Sequence, residues 1–308
     1  MSKIKNILFR ADSSSTIGTG HIMRDLVLAS QYKDSNIIFA TQGLDGNINK
    51  RIKEAGYKVK LLKSNSLKEV IELVNKYNVD MVVIDHYGID YKYEKKLKKK
   101  TGVKILSFDD TYEKHYCDTL LNHNIYAKKQ KYKELVPKNC ELKCGAKYTL
   151  LRDEFLKEKK RNHKSKKSKT KILLLAMGGT DHSNLNIKIL KVIKFFPQFK
   201  INIITTSANK YLQKLKKYVL KKENITLHIN TTSIAKLMNE ADLAIITPSV
   251  TLNEVIYLSV PFIAIQTAHN QLYMTEYLKK HNYFILKKFD DKKLAQYIKT
   301  TLVEDMSL

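Results

Sequence analysis

A histidine stands directly behind two glycines near the start of the chain. The segment Arg10–Arg24 reads Arg-Ala-Asp-Ser-Ser-Ser-Thr-Ile-Gly-Thr-Gly-His-Ile-Met-Arg, and its histidine is His21. Gly18 and Gly20 would let the backbone approach a ligand closely, and a helix beginning there would offer free N–H groups. Because imidazole accepts a proton near neutral pH, His21 is a candidate general base. The same pattern also fits a histidine that only packs at the helix start.

This segment matches only part of a dinucleotide-binding fingerprint. Gly18 and Gly20 match its first two glycines, but Met23 occupies the third position. No acidic residue closes a convincing strand about 20 residues further on, where the ribose contact is required. We therefore expect neither NAD nor any other cofactor.

Two loops in the second half of the chain suit phosphate groups. They are Ala176–Asp181 and Thr247–Glu254, each between a strand-like run and a helical pattern. Backbone N–H groups and hydroxyls in such loops bind phosphate, and Glu254 could accept two ribose hydroxyls. Either loop alone also fits an ordinary structural turn, but the two together favour a nucleoside diphosphate site. The candidate phosphate contacts are Gly178, Gly179, Thr180, Ser249, Val250 and Thr251.

Polar residues also follow two strand-like runs of the first half. Asp85 and Tyr87 lie in the stretch Ile84–Gly88, and Ser107–Asp110 ends the next run. In a parallel sheet these ends share the edge on which His21 lies, so their polar groups could bind a sugar. Asp85 could equally be a buried structural acceptor. The residues assigned to substrate binding in this half are Arg10, Asp12, Gly18, Gly20 and Asp85.

No metal site is expected. His115, Cys117, Cys140 and Cys144 have a spacing that is uncommon for zinc, and the cysteines fit small buried hydrophobic residues better. Three cysteines build no disulfide framework and fit a reducing compartment. The sequence contains no signal peptide and no apolar run of the about 18–20 residues that a membrane span needs. We therefore expect a cytoplasmic monomer without a membrane partner.

The formal net charge is +26, which raises the alternative of a nucleic-acid-binding protein. Much of the excess of basic over acidic residues is concentrated in Lys157–Lys171. The remaining basic residues are scattered along the chain, as is typical of solvated helix faces. The chain has no Trp, and no stretch interleaves aromatic with basic residues to stack bases. We therefore expect no nucleic-acid partner. The charge could instead attract an anionic substrate.

Short β-branched runs alternate with helical patterns along the whole chain, which predicts parallel sheets built from right-handed βαβ units. Because Lys157–Lys171 lacks apolar periodicity, it is interpreted as an exposed linker between domains 1–160 and 161–308. The predicted fold class is α/β, with two doubly wound Rossmann-like domains facing a cleft. The predicted strands are Ile4–Phe9, Ile37–Ala40, Lys58–Leu62, Met81–Asp85, Lys104–Phe108, Lys171–Ala176, Ile201–Thr206, Ile225–Ile229, Leu243–Thr247 and Phe262–Ile265, and Asp290–Val303 is predicted as the last helix.

Several of these motifs together resemble the bacterial UDP-2,4-diacetamido-2,4,6-trideoxy-β-L-altropyranose hydrolases of pseudaminic acid biosynthesis, the PseG family. The most specific part is Gly-x-Gly-His combined with Asp-His-Tyr-Gly-Ile. The resemblance runs through nearly the whole chain. The matching stretches are Phe9–Leu26, Ile84–Ile89, Leu106–Asp110, Leu151–Phe155, Met177–Asp181 and Ile234–Glu240.

The resemblance implies a GT-B fold, as in MurG-type glycosyltransferases, and a metal-independent hydrolase that releases UDP from its UDP-sugar substrate. In this interpretation water attacks the anomeric carbon with inversion, and the product serves surface glycans such as those of flagellin. The first domain would hold the sugar and the second UDP. The resemblance makes His21 the general base, places Tyr87 and Asn270 at the active site, and makes Glu254 a UDP contact.

Two rival interpretations remain open at this point. One is a UDP-sugar glycosyltransferase of the same fold, and the other is a basic nucleic-acid-binding protein without enzymatic activity. The chain also departs from the family in three places. These are the lysine-rich segment, the stretch Thr247–Thr251 where relatives are richer in serine, and the helix Asp290–Val303 beyond the family's usual end.

Overall fold

The computed structural model describes residues 4–161 and 170–304 of the chain. It divides into two compact units between Leu150 and Leu151. Within the described ranges, no helix is both long and apolar enough to span a membrane.

The first unit is a seven-stranded parallel sheet with helices between its strands. The order across the sheet is β3-β2-β1-β4-β5-β6-β7, so the direction in which successive strands are added to the sheet reverses between β1 and β4, which we call the reversal point. The strands are β1 (Asn6–Ala11), β2 (Asn36–Gln42), β3 (Lys58–Leu62), β4 (Met81–Asp85), β5 (Lys104–Phe108), β6 (Thr119–Asn122) and β7 (Glu141–Cys144), and the helices are α1 (Gly20–Ser30), α2 (Asn49–Glu54), α3 (Leu67–Lys76) and α4 (Tyr91–Thr101).

The central strands of this sheet are apolar because helices cover both of its faces. Alternate residues of β1 point to opposite faces, with Ile7 and Phe9 in one buried cluster and Leu8 in the other. All three side chains are fully buried. The loops after β1 and β4 therefore emerge side by side at the reversal point, which is where doubly wound sheets bind ligands.

The second unit repeats this plan with six parallel strands in the order β10-β9-β8-β11-β12-β13. Its reversal point lies between β8 and β11, and the loops after these strands carry the two predicted phosphate sites. The strands are β8 (Lys171–Ala176), β9 (Phe199–Thr205), β10 (Ile225–Ile229), β11 (Leu243–Ile246), β12 (Phe262–Ile265) and β13 (Ile285–Leu286), and the helices are α5 (Asp153–Lys159), α6 (Leu185–Ile193), α7 (Leu212–Val219), α8 (Ile234–Asn239), α9 (Val250–Leu258), α10 (Leu272–Lys280) and α11 (Asp291–Glu304).

The predicted strands are all present, with ends that differ by a few residues at most. The short strands β6, β7 and β13 were not predicted, because two to four residues carry too little pattern. The final helix was predicted correctly as α11.

The basic segment Lys157–Lys171 is not a linker along its whole length. Helix α5 extends into it as far as Lys159, and residues 162–169 lie outside the described part of the chain. This helix contacts α8 and α9 and buries Phe155 completely. The two units therefore divide at residue 150, before α5, whereas the composition had suggested 160.

We expect Phe155→Ala to lower the free energy of unfolding by about 3–5 kcal/mol, because it empties a fully buried position. The matched control is Phe195→Ala, where the ring is 72% exposed and the loss should stay within about 0.5 kcal/mol. Urea unfolding followed by circular dichroism measures both. Equal losses in the two variants would contradict the packing of α5 into the second unit.

Candidate active site

The polar residues of the first unit converge at the carboxyl ends of β1, β4 and β5. His21 is the second residue of α1 and is 7% exposed, and Asp85 is the last residue of β4. The Nδ1 atom of His21 lies 2.5 Å from Oδ1 of Asp85. Asp85, assigned to substrate binding from the sequence, thus contacts the candidate base.

Arg24, one helical turn beyond His21, binds the same carboxylate. Its Nε donates to Oδ2 of Asp85 at 2.6 Å, and its Nη2 donates to Oδ1 at 2.5 Å. Burial disfavours the charge on Asp85, but Arg24 and His21 outweigh it and hold the pKa of that carboxyl well below its usual range. Burial likewise opposes the charge on Arg24, while Asp85 and Asp110 outweigh it and raise the pKa of the guanidinium. Asp85 is therefore an anion held by a permanent cation.

This ion pair determines which nitrogen of His21 carries a proton. An ionised carboxylate can only accept hydrogen bonds, so the short contact requires the proton on Nδ1. The lone pair of the neutral ring then lies on Nε2, which is free to take a proton from a reacting group. A base oriented by a carboxylate is the arrangement that activates nucleophiles in many hydrolytic enzymes.

Tyr87 packs beside His21 and is anchored by a second acid. The two rings pack in a T-shaped contact, with centroids 4.9 Å apart and planes at 82°. The Tyr87 hydroxyl donates to Asp110 at 2.7 Å from Oδ2 and 3.0 Å from Oδ1. Burial raises the pKa of Asp110 although Arg24 and Tyr87 counteract it. Tyr87 itself remains 54% exposed, so its ring is available to a ligand.

Sequence reasoning did not assign Arg24 or Asp25 to the site, and it offered Asp110 only as part of the stretch Ser107–Asp110 that could bind a sugar. Arg24 could have been found from the sequence, because its spacing of three residues from His21 places both side chains on one helix face. Asp25 is 1% exposed, and neither carboxyl oxygen has a hydrogen-bond partner among the described residues. Burial and the charge of Asp85 raise its pKa, which favours the neutral acid.

Arg10 and Asp12 form a buried ion pair. Their side chains are 0% and 1% exposed and meet at 2.8 Å. The Asp12 carboxylate also accepts the backbone N–H of Gln42 at 2.7 Å and lies 3.2 Å from Nε2 of His86. Burial opposes ionisation, but His86 and Arg10 outweigh it and hold the pKa of Asp12 well below its usual range. Both groups assigned to substrate binding are thus occupied by protein partners.

The glycines of the first loop have conformational roles. Gly18 has φ of +86°, a region that favours glycine, and its N–H donates to the Ser14 carbonyl at 2.9 Å. Gly20 is the first residue of α1. The loop is therefore closed on itself directly before the helix that carries His21.

The loop after β8 is tied to the end of β9. The Gly179 carbonyl accepts the N–H and the hydroxyl of Thr206 at 3.1 and 2.8 Å. A Cβ on Gly179 would lie 2.8 Å from Cγ2 of Thr206, so a side chain would displace the loop. Gly178 has φ of +78°, and Thr180 is buried. These residues lie as predicted between β8 and α6.

The second predicted phosphate loop begins helix α9. Ser249 precedes the helix, its hydroxyl lies 3.0 Å from that of Thr247, and Val250 and Thr251 form the first turn. Glu254 is buried, and Arg152 donates to its Oε1 from Nε and Nη2 at 3.1 and 2.8 Å. Burial raises the pKa of Glu254 although Arg152 counteracts it.

Asn270 lies half-buried in a short turn after β12. Its neighbour Gln271 stabilises this loop, because Oε1 accepts the backbone N–H groups of Thr267 and Ala268 at 2.7 and 3.2 Å. His182 reaches the same loop from the loop after β8, with Nε2 3.0 Å from the Thr267 carbonyl. The second unit therefore brings the loops after β8 and β12 together.

The cysteines and His115 make different close contacts. Cys117 and Cys140 meet with their Sγ atoms 3.7 Å apart, and all three cysteines are free thiols. His115 instead contacts two acids, with Nδ1 2.8 Å from Glu94 and Nε2 3.9 Å from Asp109. No cluster of three metal-ligating side chains occurs within residues 4–161 and 170–304.

Comparison with known proteins finds a similar nucleotide-sugar hydrolase. No protein-family model matches the chain. The UDP-2,4-diacetamido-2,4,6-trideoxy-β-L-altropyranose hydrolase of Campylobacter jejuni is 44% identical over 284 residues, which cover 92% of this chain and 99% of that protein.

Solved structures resemble the chain in fold. MurG of Acinetobacter baumannii matches with a TM-score of 0.63 and 13% identity, over 97% of this chain and 91% of that one. Anabaena HepE in complex with UDP and glucose matches with a TM-score of 0.63 and 13% identity, over 98% and 91%. These likenesses confirm the predicted GT-B type of α/β fold.

The contacts of His115 predict a stability that falls at alkaline pH. Burial disfavours the imidazolium, but Asp109 and Glu94 outweigh it and raise the pKa of His115 from 6.5 to about 10. The stabilisation is therefore complete below pH 6.5 and is lost as pH rises towards about 10. We expect it to amount to a few kcal/mol, at about 1.4 kcal/mol per pKa unit.

Urea unfolding at pH 6, 8 and 9.5 checks this for the wild type and His115→Gln. The difference in free energy of unfolding between the two proteins should shrink steadily with pH. A difference that is constant over this range would show that His115 does not carry the charge.

Proposed function

The chain belongs to the family of UDP-2,4-diacetamido-2,4,6-trideoxy-β-L-altropyranose hydrolases, and from this premise we propose that it hydrolyses that UDP-sugar to UDP and the free sugar. The observation that carries the proposal is the contact between His21 and Asp85 at the reversal point of the first sheet. It supplies an oriented base whose Nε2 can activate water. The enzyme would act as a monomer in the cytoplasm, a compartment that suits its free thiols.

In the proposed reaction, Nε2 of His21 takes a proton from a water molecule as the water oxygen bonds to the anomeric carbon. The bond from that carbon to the diphosphate oxygen breaks, and UDP leaves from the opposite face, so the configuration inverts. Asp85 stabilises the imidazolium that forms. Tyr87 and Asn270 would orient the sugar and the water, and no metal or cofactor takes part.

UDP would bind to the second unit. The N–H groups and helix starts at Gly178–Thr180 and Ser249–Thr251 would bind the diphosphate and stabilise the charge that grows on it. Glu254 would accept ribose hydroxyls through Oε2, since Arg152 already occupies Oε1. Arg152 would keep this buried acid oriented for that contact.

Hydrolysis in isotopically labelled water tests the reaction. We expect UDP release without any added acceptor, with the heavy oxygen appearing in the sugar. Label in UDP would mean attack at phosphorus and would contradict the mechanism. Release that depends on a second sugar would instead indicate a glycosyltransferase.

His21→Gln should lower kcat at least about 100-fold and leave the Kd for UDP unchanged, because it removes the base but not the phosphate loops. His281→Gln, at an exposed position of the second unit, is the matched control and should keep wild-type turnover. Steady-state kinetics and calorimetric UDP titration measure the two quantities. Wild-type turnover in His21→Gln would remove this residue from the mechanism.

Gly179→Ala should weaken UDP binding about 10-fold, since the new methyl group collides with Cγ2 of Thr206 and displaces the loop. Thr206→Ser removes that carbon but keeps the hydroxyl that donates to Gly179. The double variant should therefore recover most of the affinity, and Thr206→Ser alone should bind UDP normally. A double variant as weak as Gly179→Ala would refute this explanation.

A further inference from the structure

Five residues around Tyr87 form a closed circuit of hydrogen bonds, which we name the Tyr87 clamp. Its members come from β1 and the residue just after it, from the stretch between β3 and α3, and from the stretch after β4, so they join three segments that are remote in sequence. They are Arg10, Asp12, Asn65, His86 and Gly88.

One side of the clamp connects β1 to the residue before Tyr87. Nη2 of Arg10 donates to Oδ2 of Asp12 at 2.9 Å, and Nε2 of His86 lies 3.2 Å from the same oxygen. The Gly88 N–H donates to Nδ1 of His86 at 2.9 Å. Because Nδ1 accepts this bond, the His86 proton lies on Nε2 and is donated to Asp12.

The other side connects β1 to the residue after Tyr87. Nη2 of Arg10 donates to Oδ1 of Asn65 at 3.0 Å, and Nδ2 of Asn65 donates to the Gly88 carbonyl at 2.9 Å. Asn65 therefore uses both ends of its amide, and the circuit returns to Arg10. His86 and Gly88 enclose Tyr87 in the chain, so its backbone is held from both sides.

The clamp has room for glycine alone at position 88. A Cβ there would lie 2.8 Å from Cε1 of His86 and 3.2 Å from Nδ2 of Asn65, two members of the circuit. The Arg10 and Asp12 side chains are 0% and 1% exposed. Nε of Arg10 has no hydrogen-bond partner among the described residues, but the Arg10 and Asp12 atoms named above are paired. Buried polar networks specify one geometry more than they add stability.

We propose that Arg10, Asp12, Asn65 and His86 are positioning residues that fix Tyr87 against His21 and Asp110. They act through Tyr87 and do not touch the substrate, which replaces the substrate-binding role predicted for Arg10 and Asp12. This inference rests on the proposed function, in which Tyr87 orients the sugar and water for attack. Two contacts of Tyr87 depend on the clamp: the ring contact with His21 and the hydroxyl bond to Asp110.

Asn65→Asp tests the clamp at its half-buried member. It keeps the acceptor for Arg10 but replaces the donor to the Gly88 carbonyl with a repelling oxygen. We expect kcat to fall at least about 10-fold and the Kd for UDP to stay within about twofold of the wild type. Asn65→Ala, which removes both contacts, should behave in the same way. Asn75→Asp, an exposed change of equal charge on α3, should leave both quantities unchanged.

A double-mutant cycle separates positioning from general damage. In a Tyr87→Ala background, Asn65→Asp should reduce kcat by no further factor above about 2, because the residue it positions is gone. A full additional loss in that background would overturn the proposal.

A spectroscopic measurement is independent of turnover. With 3-fluorotyrosine at position 87, the fluorine resonance should shift or split in Asn65→Asp and stay unchanged in Asn75→Asp. An unchanged resonance in Asn65→Asp would overturn the clamp. A changed resonance in a protein whose wild type releases no UDP would support the clamp and refute the proposed function.

Discussion

The site in the first unit depends on keeping one buried carboxylate ionised. Moving a carboxylate out of water costs several kcal/mol, and only a close cation and good hydrogen bonds offset that cost. Arg24 supplies both to Asp85, with two donated bonds at 2.6 and 2.5 Å. Because Asp85 stays charged, the proton of His21 is held on Nδ1 and Nε2 becomes the basic atom. Loss of the Arg24 charge would favour protonation of Asp85, and His21 would then lose its orientation.

The parallel sheet itself brings His21, Arg24 and Asp85 together, through the pairing of β1 with β4. Ala11 at the end of β1 pairs with Asp85 at the end of β4, so the helix that follows β1 begins beside that acid. Within α1, the spacing of His21 and Arg24 directs both side chains to one face. The next strand, β5, pairs with β4 through Ser107 and Ile84, and the residues after it bring Asp110 within reach of Tyr87.

Local patterns in the sequence were enough to predict all strands except the short β6, β7 and β13, and to predict the clustering of His21, Asp85 and Tyr87 at one sheet edge. They were not enough to tell a ligand contact from a partner in a buried network. Arg10 in β1 and Asp12 directly after it lie close to His21 in sequence, yet Asn65, which accepts a bond from Arg10, lies after β3, far along the chain. Sequence reasoning also passed over Arg152, whose partner Glu254 is 102 residues away. Among 56 basic residues, no periodicity marks Arg152 as the one that pairs with Glu254.

The position of α5 was also not evident from local sequence patterns, because it depends on residues that are far apart in the chain. The composition placed only the last residues of this helix, Lys157–Lys159, in the basic linker. Two features hold it in the second unit instead. The Phe155 side chain is fully buried, and Arg152, directly before the helix, binds Glu254. The second contact also has a chemical consequence, because a cation on Oε1 lowers the cost of keeping Glu254 charged while Oε2 can serve a ligand. In both units an arginine thus orients a buried acid: Arg24 binds Asp85, and Arg152 binds Glu254.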